Sequence, residues 1–151
     1  MERGVPWTVG ALVRHAAQRF RRARIAFGHG TARARDEAAW LVLHSLGLRD
    51  APAGQRVAPN EAQRALALIE RRIRTRKPAA YLTREAWLGD YRFHVDERVV
   101  GPRSHIAGLR RGNLSPWLTD SRAITTRLDL GTGYRCLAVL RRLRLPRARV
   151  A

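Results

Sequence analysis

Three stretches in the first half of the chain repeat apolar residues at helical spacing. Val9, Leu12, Val13, Ala16 and Phe20 share one face behind Thr8, whose hydroxyl suits a helix N-cap. The opposite face carries Arg14, Arg19, Arg21, Arg22 and Arg24. Gly28 and Gly30 interrupt the pattern, and Thr31 is then placed to cap a second helix. Asp36 and Glu37 fall early in that helix, where its dipole favours negative charge. Ala38, Leu41, Val42 and Leu46 make its apolar stripe, and Gly47 suits its C-terminal end. Residues 49–59, with Pro52, Gly54 and Pro59, read as a loop. Asn60 and Gln63 resemble a capping box for a third helix with Ala62, Leu66, Ile69 and Ile73 inward. Arg71, Arg72, Arg74, Arg76 and Lys77 end it as a basic run before Pro78. Residues 1–77 thus read as a helical bundle, a recognition module more often than a catalytic one.

After Pro78 the period shortens to two. Ala86-Trp87-Leu88 and Tyr91-Arg92-Phe93-His94-Val95 flank Gly89-Asp90, a pair suited to a tight hairpin turn. Alternation puts Tyr91, Phe93 and Val95 inward and Arg92 and His94 outward. Val99-Val100 suggests one more short strand, and Ser104 a cap for a short helix through Ile106 and Leu109. Residues 78–121 form this hairpin linker, and 122–151 a third segment. There, the apolar run Leu128-Asp129-Leu130 reads as a strand, Gly131-Thr132-Gly133 as a turn, and Leu137 to Leu145 as a helix stopped by Pro146. Strand, glycine turn and helix in that order open an α/β sheet that binds nucleotide-like cofactors, but two such glycines can equally make a plain tight turn.

Charge changes the picture more than composition does. The net charge is +18, and Lys77 is the only lysine among 30 basic residues. An arginine excess over only 12 carboxylates points to an anionic partner, most simply RNA, through bidentate phosphate contacts. Codon bias toward arginine accounts for its ratio to lysine but not for the shortage of carboxylates. Cys136 is the only cysteine, which excludes an intrachain disulfide and a cysteine zinc cluster; it reads as a small buried residue. The five histidines show no metal-ligand spacing, and Ser104-His105 is no nucleophile elbow. Neither a signal peptide nor a membrane span is visible, so a soluble, cytoplasmic protein is expected.

Six stretches taken together resemble a known family. They are 27–31 (Phe-Gly-His-Gly-Thr), 36–44 (Asp-Glu-Ala-Ala-Trp-Leu-Val-Leu-His) and 78–83 (Pro-Ala-Ala-Tyr-Leu-Thr), then 93–98, 102–107 (Pro-Arg-Ser-His-Ile-Ala) and 128–133 (Leu-Asp-Leu-Gly-Thr-Gly). In order, they are similar to the glutamine methyltransferases that modify a large-subunit ribosomal protein, relatives of those acting on release factors. The resemblance implies an α+β chain: a substrate-recognition bundle (1–77), a β-hairpin linker (78–121) and the first βα unit of a Rossmann-like class I methyltransferase domain (122–151). It implies S-adenosylmethionine as cofactor, with Asp129, Gly131, Thr132 and Gly133 as cofactor-binding residues. The implied partner is a ribosomal protein substrate; the arginine excess adds ribosomal RNA as an expected partner, and neither a membrane nor DNA is expected.

The chain departs from the family pattern in three places. Tyr134-Arg135 stands where Ser-Gly is usual, and Gly108 replaces a glutamate. A ribose-binding carboxylate is expected roughly 20 residues beyond the glycine turn, and the sequence reaches Ala151 first. No two prolines are adjacent, so the Asn-Pro-Pro-Tyr loop that grips the substrate amide has no counterpart, and no catalytic residue is assigned. The expectation is a protein-glutamine N-methyltransferase by descent, truncated and incomplete as a catalyst. The alternative is an arginine-rich helical module that binds RNA or ribosomes without catalysis.

Overall fold

Thr8 does cap the first helix. Its Oγ1 accepts from the backbone N–H of Ala11 at 3.2 Å, and α1 runs Val9–Arg22. The segment ahead of the third helix satisfies two more of the N–H groups that a first turn leaves without partners. Val9 N–H donates to Gln55 O at 3.0 Å and Gly10 N–H to Ala53 O at 2.8 Å, beside a bridge between Thr8 and Arg56. The approach is close enough that a Cβ on Gly10 would lie 2.9 Å from the Ala53 oxygen, so position 10 admits only glycine without a shift of backbone.

The computed structural model describes residues 6–28, 31–88, 90–99, 124–131, 133, 135, 136, 138–140, 149 and 150. The chain divides into two units, Met1–Thr83 and Arg84–Ala151.

In the first unit, α1 is followed by α2 (Ala34–Ser45), α3 (Pro59–Thr75) and the short α4 (Ala79–Thr83). Leu12, Ala16 and Phe20 of α1, Ala38, Leu41 and Val42 of α2, and Ala62 and Ile69 of α3 close over one another as the core. Trp40 and Leu43 also lean on that core, because α2 packs against both α1 and α3 and so turns more than one stripe inward. The described helices include none long and apolar enough to cross a membrane.

Several boundaries and facings differ from the expectation, each for a tertiary reason. Thr31 is not the cap of α2, whose N-cap is Arg33 without a side-chain bond. The Thr31 hydroxyl instead donates to Glu37 Oε2 at 3.0 Å. Helix α3 begins one residue inside the expected loop: Ala58 is its N-cap and Pro59 its first residue. Glu61, not Gln63, folds back, its Oε2 accepting from Ala58 N–H at 3.1 Å. Pro78 does more than stop α3, since its carbonyl accepts from Tyr81 N–H at 3.0 Å and opens α4, which the sequence reading lacks.

The sequence assigns Arg72 no role beyond the basic run that ends α3, and the structure gives it one. Its side chain is only 3% exposed, and its Nε donates to Glu37 Oε1 at 2.7 Å, where Glu37 is 2% exposed. Arg72 Nη2 also donates to Ala26 O at 3.1 Å. One ion pair therefore joins α2, α3 and the segment that follows α1. Four residues on, Arg76 donates to Arg24 O at 3.3 Å and Ala23 O at 3.0 Å, satisfying carbonyls at the end of α1.

Removing one partner strands a buried charge, whereas removing both need not. Glu37→Leu and Arg72→Met are each expected to cost about 3–5 kcal/mol in urea unfolding followed by helical circular dichroism. The double variant is expected to lose clearly less than the sum. Single losses under about 1 kcal/mol, within the range of exposed pairs, would contradict the burial.

Candidate functional site

The second unit begins with the hairpin. β1 (Glu85–Leu88) pairs antiparallel with β2 (Tyr91–His94), Ala86 opposite Phe93 and Leu88 opposite Tyr91. Opposed residues share a face, so Ala86, Leu88, Phe93 and Tyr91 form one side. Glu85, Trp87, Arg92 and His94 form the other, where Arg92 Nη1 donates to Glu85 Oε1 at 3.0 Å. Ala86 and Leu88 are buried, Phe93 is half-buried and Val95, just past the strand, is fully buried. Tyr91, expected inward, is exposed at the turn end of the hairpin. The turn residue Gly89, Val100 and the short helix expected from Ser104 lie outside the described residues.

The hairpin is more than a spacer. Leu88 and Phe93 pack against Cys136 and Leu140, which belong to the helical backbone at 136 and 138–140 after the glycine turn. That packing buries the Cys136 thiol, and desolvation raises its pKa above the ordinary thiol value against a smaller opposing effect of a backbone hydrogen bond. A raised thiol pKa suits a packing residue and not a nucleophile.

The strand ahead of the glycine turn is β3, Thr126–Arg127, two residues earlier than the apolar run suggested. It pairs in parallel with β4, Arg149–Val150, with Thr126 opposite Arg149 and Arg149 N–H bonded to Thr125 O at 2.8 Å. Two parallel strands with a helical segment between them make a βαβ crossover, as the strand–turn–helix order implied. Leu128 and Leu130 are not strand residues; they are 65% and 82% exposed.

Between β3 and the helical segment lie the assigned positions. Asp129 is half-buried, and its Oδ2 is fully shielded with no hydrogen-bond partner among the described residues. A shielded carboxylate oxygen without a donor is costly unless a ligand supplies one. Gly131 (φ +69°) and Gly133 (φ +52°) both adopt the left-handed conformation that favours glycine. A Cβ on Gly131 would meet nothing within 4 Å, so its backbone stands open to an approaching group. At Gly133 a Cβ would lie 3.6 Å from a methyl of Val99, which places the segment after the hairpin beside the turn. Thr132 and Tyr134 lie outside the described residues.

Arg135 also has a left-handed backbone, φ +57°, immediately before the helical segment, and its carbonyl accepts from Val139 N–H at 2.9 Å. It occupies a glycine-type conformation with a bulky side chain. Elsewhere, His15 sits edge-on to Trp7 at 5.4 Å, and among the described residues no group of His, Cys, Asp or Glu could hold a metal. Val99 and the strain at Arg135 escaped the sequence reading; glycine at 135 in the family pattern was the available signal for the second.

No protein-family model matches the chain. It is 50% identical over 147 residues to the ribosomal protein uL3 glutamine methyltransferase of Burkholderia pseudomallei, covering 95% of this chain and 48% of that protein. The protein of the same name from Bordetella pertussis is 49% identical over 147 residues, covering 95% and 49%. That from Neisseria meningitidis serogroup B is 45% identical over 136 residues, covering 87% and 45%. The chain is similar to these methyltransferases over most of its own length and spans about half of theirs.

Two outcomes test this geometry. A non-glycine residue in the left-handed region costs about 1–2 kcal/mol, and glycine returns part of that as unfolded-chain entropy. Arg135→Gly is therefore expected to raise stability by roughly 0.5–1 kcal/mol, read as slower amide exchange at 136–140, whereas Arg135→Ala gives no gain. Phe93→Ala is expected to cost about 2–4 kcal/mol in the same region, and His94→Ala, on the exposed face, under about 0.5 kcal/mol. Equal losses at the two positions would reject the facing of the hairpin.

Proposed function

We propose that this chain provides the recognition and first cofactor-binding portion of an S-adenosylmethionine-dependent protein-glutamine N-methyltransferase acting on a large-subunit ribosomal protein. The observation that carries the reading is the shielded, unpartnered Asp129 oxygen beside two left-handed glycines, in a chain about half identical to methyltransferases of that name. The residues present suit a cationic cofactor. Asp129 offers an acceptor in need of a donor, Gly131 leaves backbone room, and Gly133 holds the turn beneath Val99; Thr132 completes the set. S-adenosylmethionine, when bound, supplies an electrophilic methyl group on a sulfonium sulfur.

On this reading the βαβ crossover opens a Rossmann-like class I domain, and the hairpin braces its first helix through Leu88, Phe93, Cys136 and Leu140. The helical unit Met1–Thr83 recognises the substrate. A glutamine amide nitrogen is a poor nucleophile because its lone pair is shared with the carbonyl. Holding it in line therefore supplies much of the acceleration. Residues 102–121, where the family resemblance places the end of the linker, belong to the same proposal. The proposed partner is a ribosomal protein, with ribosomal RNA beside it, in the cytoplasm.

The 151-residue polypeptide alone is expected to show no saturable heat with micromolar S-adenosylmethionine in calorimetry. Its parallel pair has two strands of two residues, and parallel strands need neighbours and cover on both faces. Joined to the part of the Burkholderia relative that it does not cover, and carrying Tyr134→Ser and Arg135→Gly, it is expected to bind the cofactor and methylate a glutamine of uL3. Asp129→Asn in that chimera is expected to weaken cofactor binding about 10- to 100-fold, the worth of a charge-assisted hydrogen bond. A chimera that binds the cofactor yet leaves uL3 unmethylated would overturn the substrate, and one insensitive to Asp129 would overturn the site.

A further inference from the structure

Two of the bundle's helices end at the same place. The segment 53–57 clips to the start of α1, and the Arg72, Arg76 and Arg19–Glu70 contacts tie residues 19–26 to residues 70–76. α1 and α3 therefore run side by side in the same direction, and their C-terminal turns are adjacent. Those turns carry Arg21, Arg22, Arg24, Arg71, Arg74 and Arg76, all exposed.

Charge at this end is strongly one-sided. Glu70 is taken up by Arg19 at 2.5 Å, and Glu37 is buried against Arg72. Among the described residues of this unit, the exposed carboxylate left at this end is Asp36, in the first turn of α2. Complementing the two helix dipoles takes about half a charge per helix, far less than six guanidinium groups supply. Among the described residues, this unit exposes no large apolar anchor either. The exposed large hydrophobic residues among those described, Trp87, Tyr91, Leu128, Leu130 and Val139, belong to the second unit. Protein interfaces gain most from buried aromatic and aliphatic anchors, whereas a polyphosphate backbone needs only spaced, forked cations.

We propose that the joined C-terminal ends of α1 and α3 form a docking surface for the phosphate backbone of structured RNA. The surface reads phosphate and not base sequence, and it acts whether or not the chain transfers a methyl group. Each guanidinium that meets a phosphate releases a counterion, so affinity falls steeply with salt.

The test uses the full chain and a fluorescein-labelled ribosomal RNA hairpin, with binding read by fluorescence anisotropy at several salt concentrations. The triple variant Arg21→Gln, Arg71→Gln, Arg74→Gln is expected to bind about 10-fold or more weakly, with the slope of log K against log salt shallower by about 2. The triple variant Arg49→Gln, Arg56→Gln, Arg64→Gln removes the same charge from the opposite end and is expected to stay within about 3-fold of the parent. A measurement on the unaltered chain guards against misfolding: bound RNA should shield Arg21, Arg71 and Arg74 from phenylglyoxal while Arg49, Arg56 and Arg64 remain reactive. Equal losses in the two variants, uniform shielding, or binding insensitive to salt would overturn the surface. Polyglutamate displacing the labelled RNA as well as unlabelled RNA does at equal charge would overturn RNA as its partner, in favour of an acidic polypeptide.

Discussion

The Glu37–Arg72 pair is the interaction on which the helical unit depends. Two charges held away from water are costly by several kcal/mol each unless every polar atom finds a partner. Here Arg72 serves Glu37 and the Ala26 carbonyl, while the second Glu37 oxygen takes the Thr31 hydroxyl. Satisfying both ends requires α2, α3 and the connection after α1 to hold one relative placement. An apolar pair of similar volume packs without that demand. The pair therefore fixes register more than it adds stability, and it brings the α1 and α3 ends together.

What the sequence revealed, and what it hid, follows from how local each determinant is. The Thr8 cap, the apolar stripes of α1 and α3, and the hairpin pairing each depend on residues a few positions apart, and each was legible. The role of Arg72 was not, because its partner lies 35 residues away and an arginine in a basic run looks solvated. Thr31 misled for the same reason: a hydroxyl before a helix resembles a cap until a buried carboxylate claims it. In the second unit, Leu128 and Leu130 looked like strand residues by hydropathy, yet pairing stops at Arg127. The glycine positions were readable, since the left-handed backbone at Gly131 and Gly133 leaves little else possible. The unpartnered Asp129 oxygen was not, because solvent shielding is a property of the assembled unit.

The two units divide labour along chemical lines. The first is stabilised by an apolar core and an internal ion pair, and it keeps its surplus charge at one end. The second holds the exposed apolar side chains and the carboxylate in need of a donor. The surplus charge and the shielded carboxylate thus lie in different units, each with apolar packing of its own.

The left-handed non-glycine residues recorded among the described positions are Arg24, Arg76, Arg84 and Arg135, all of them arginine. Glycine codons of the form GGN and arginine codons of the form CGN differ only in their first base. Each of these sites is therefore one nucleotide from the residue its backbone prefers. The gain is not equal across the four. Arg76 earns its place through two carbonyl contacts, and its reversion forfeits them. Among the described residues, the side chains of Arg24, Arg84 and Arg135 find no such carbonyls, so for them the mutational route to a more stable chain is as short as the genetic code allows.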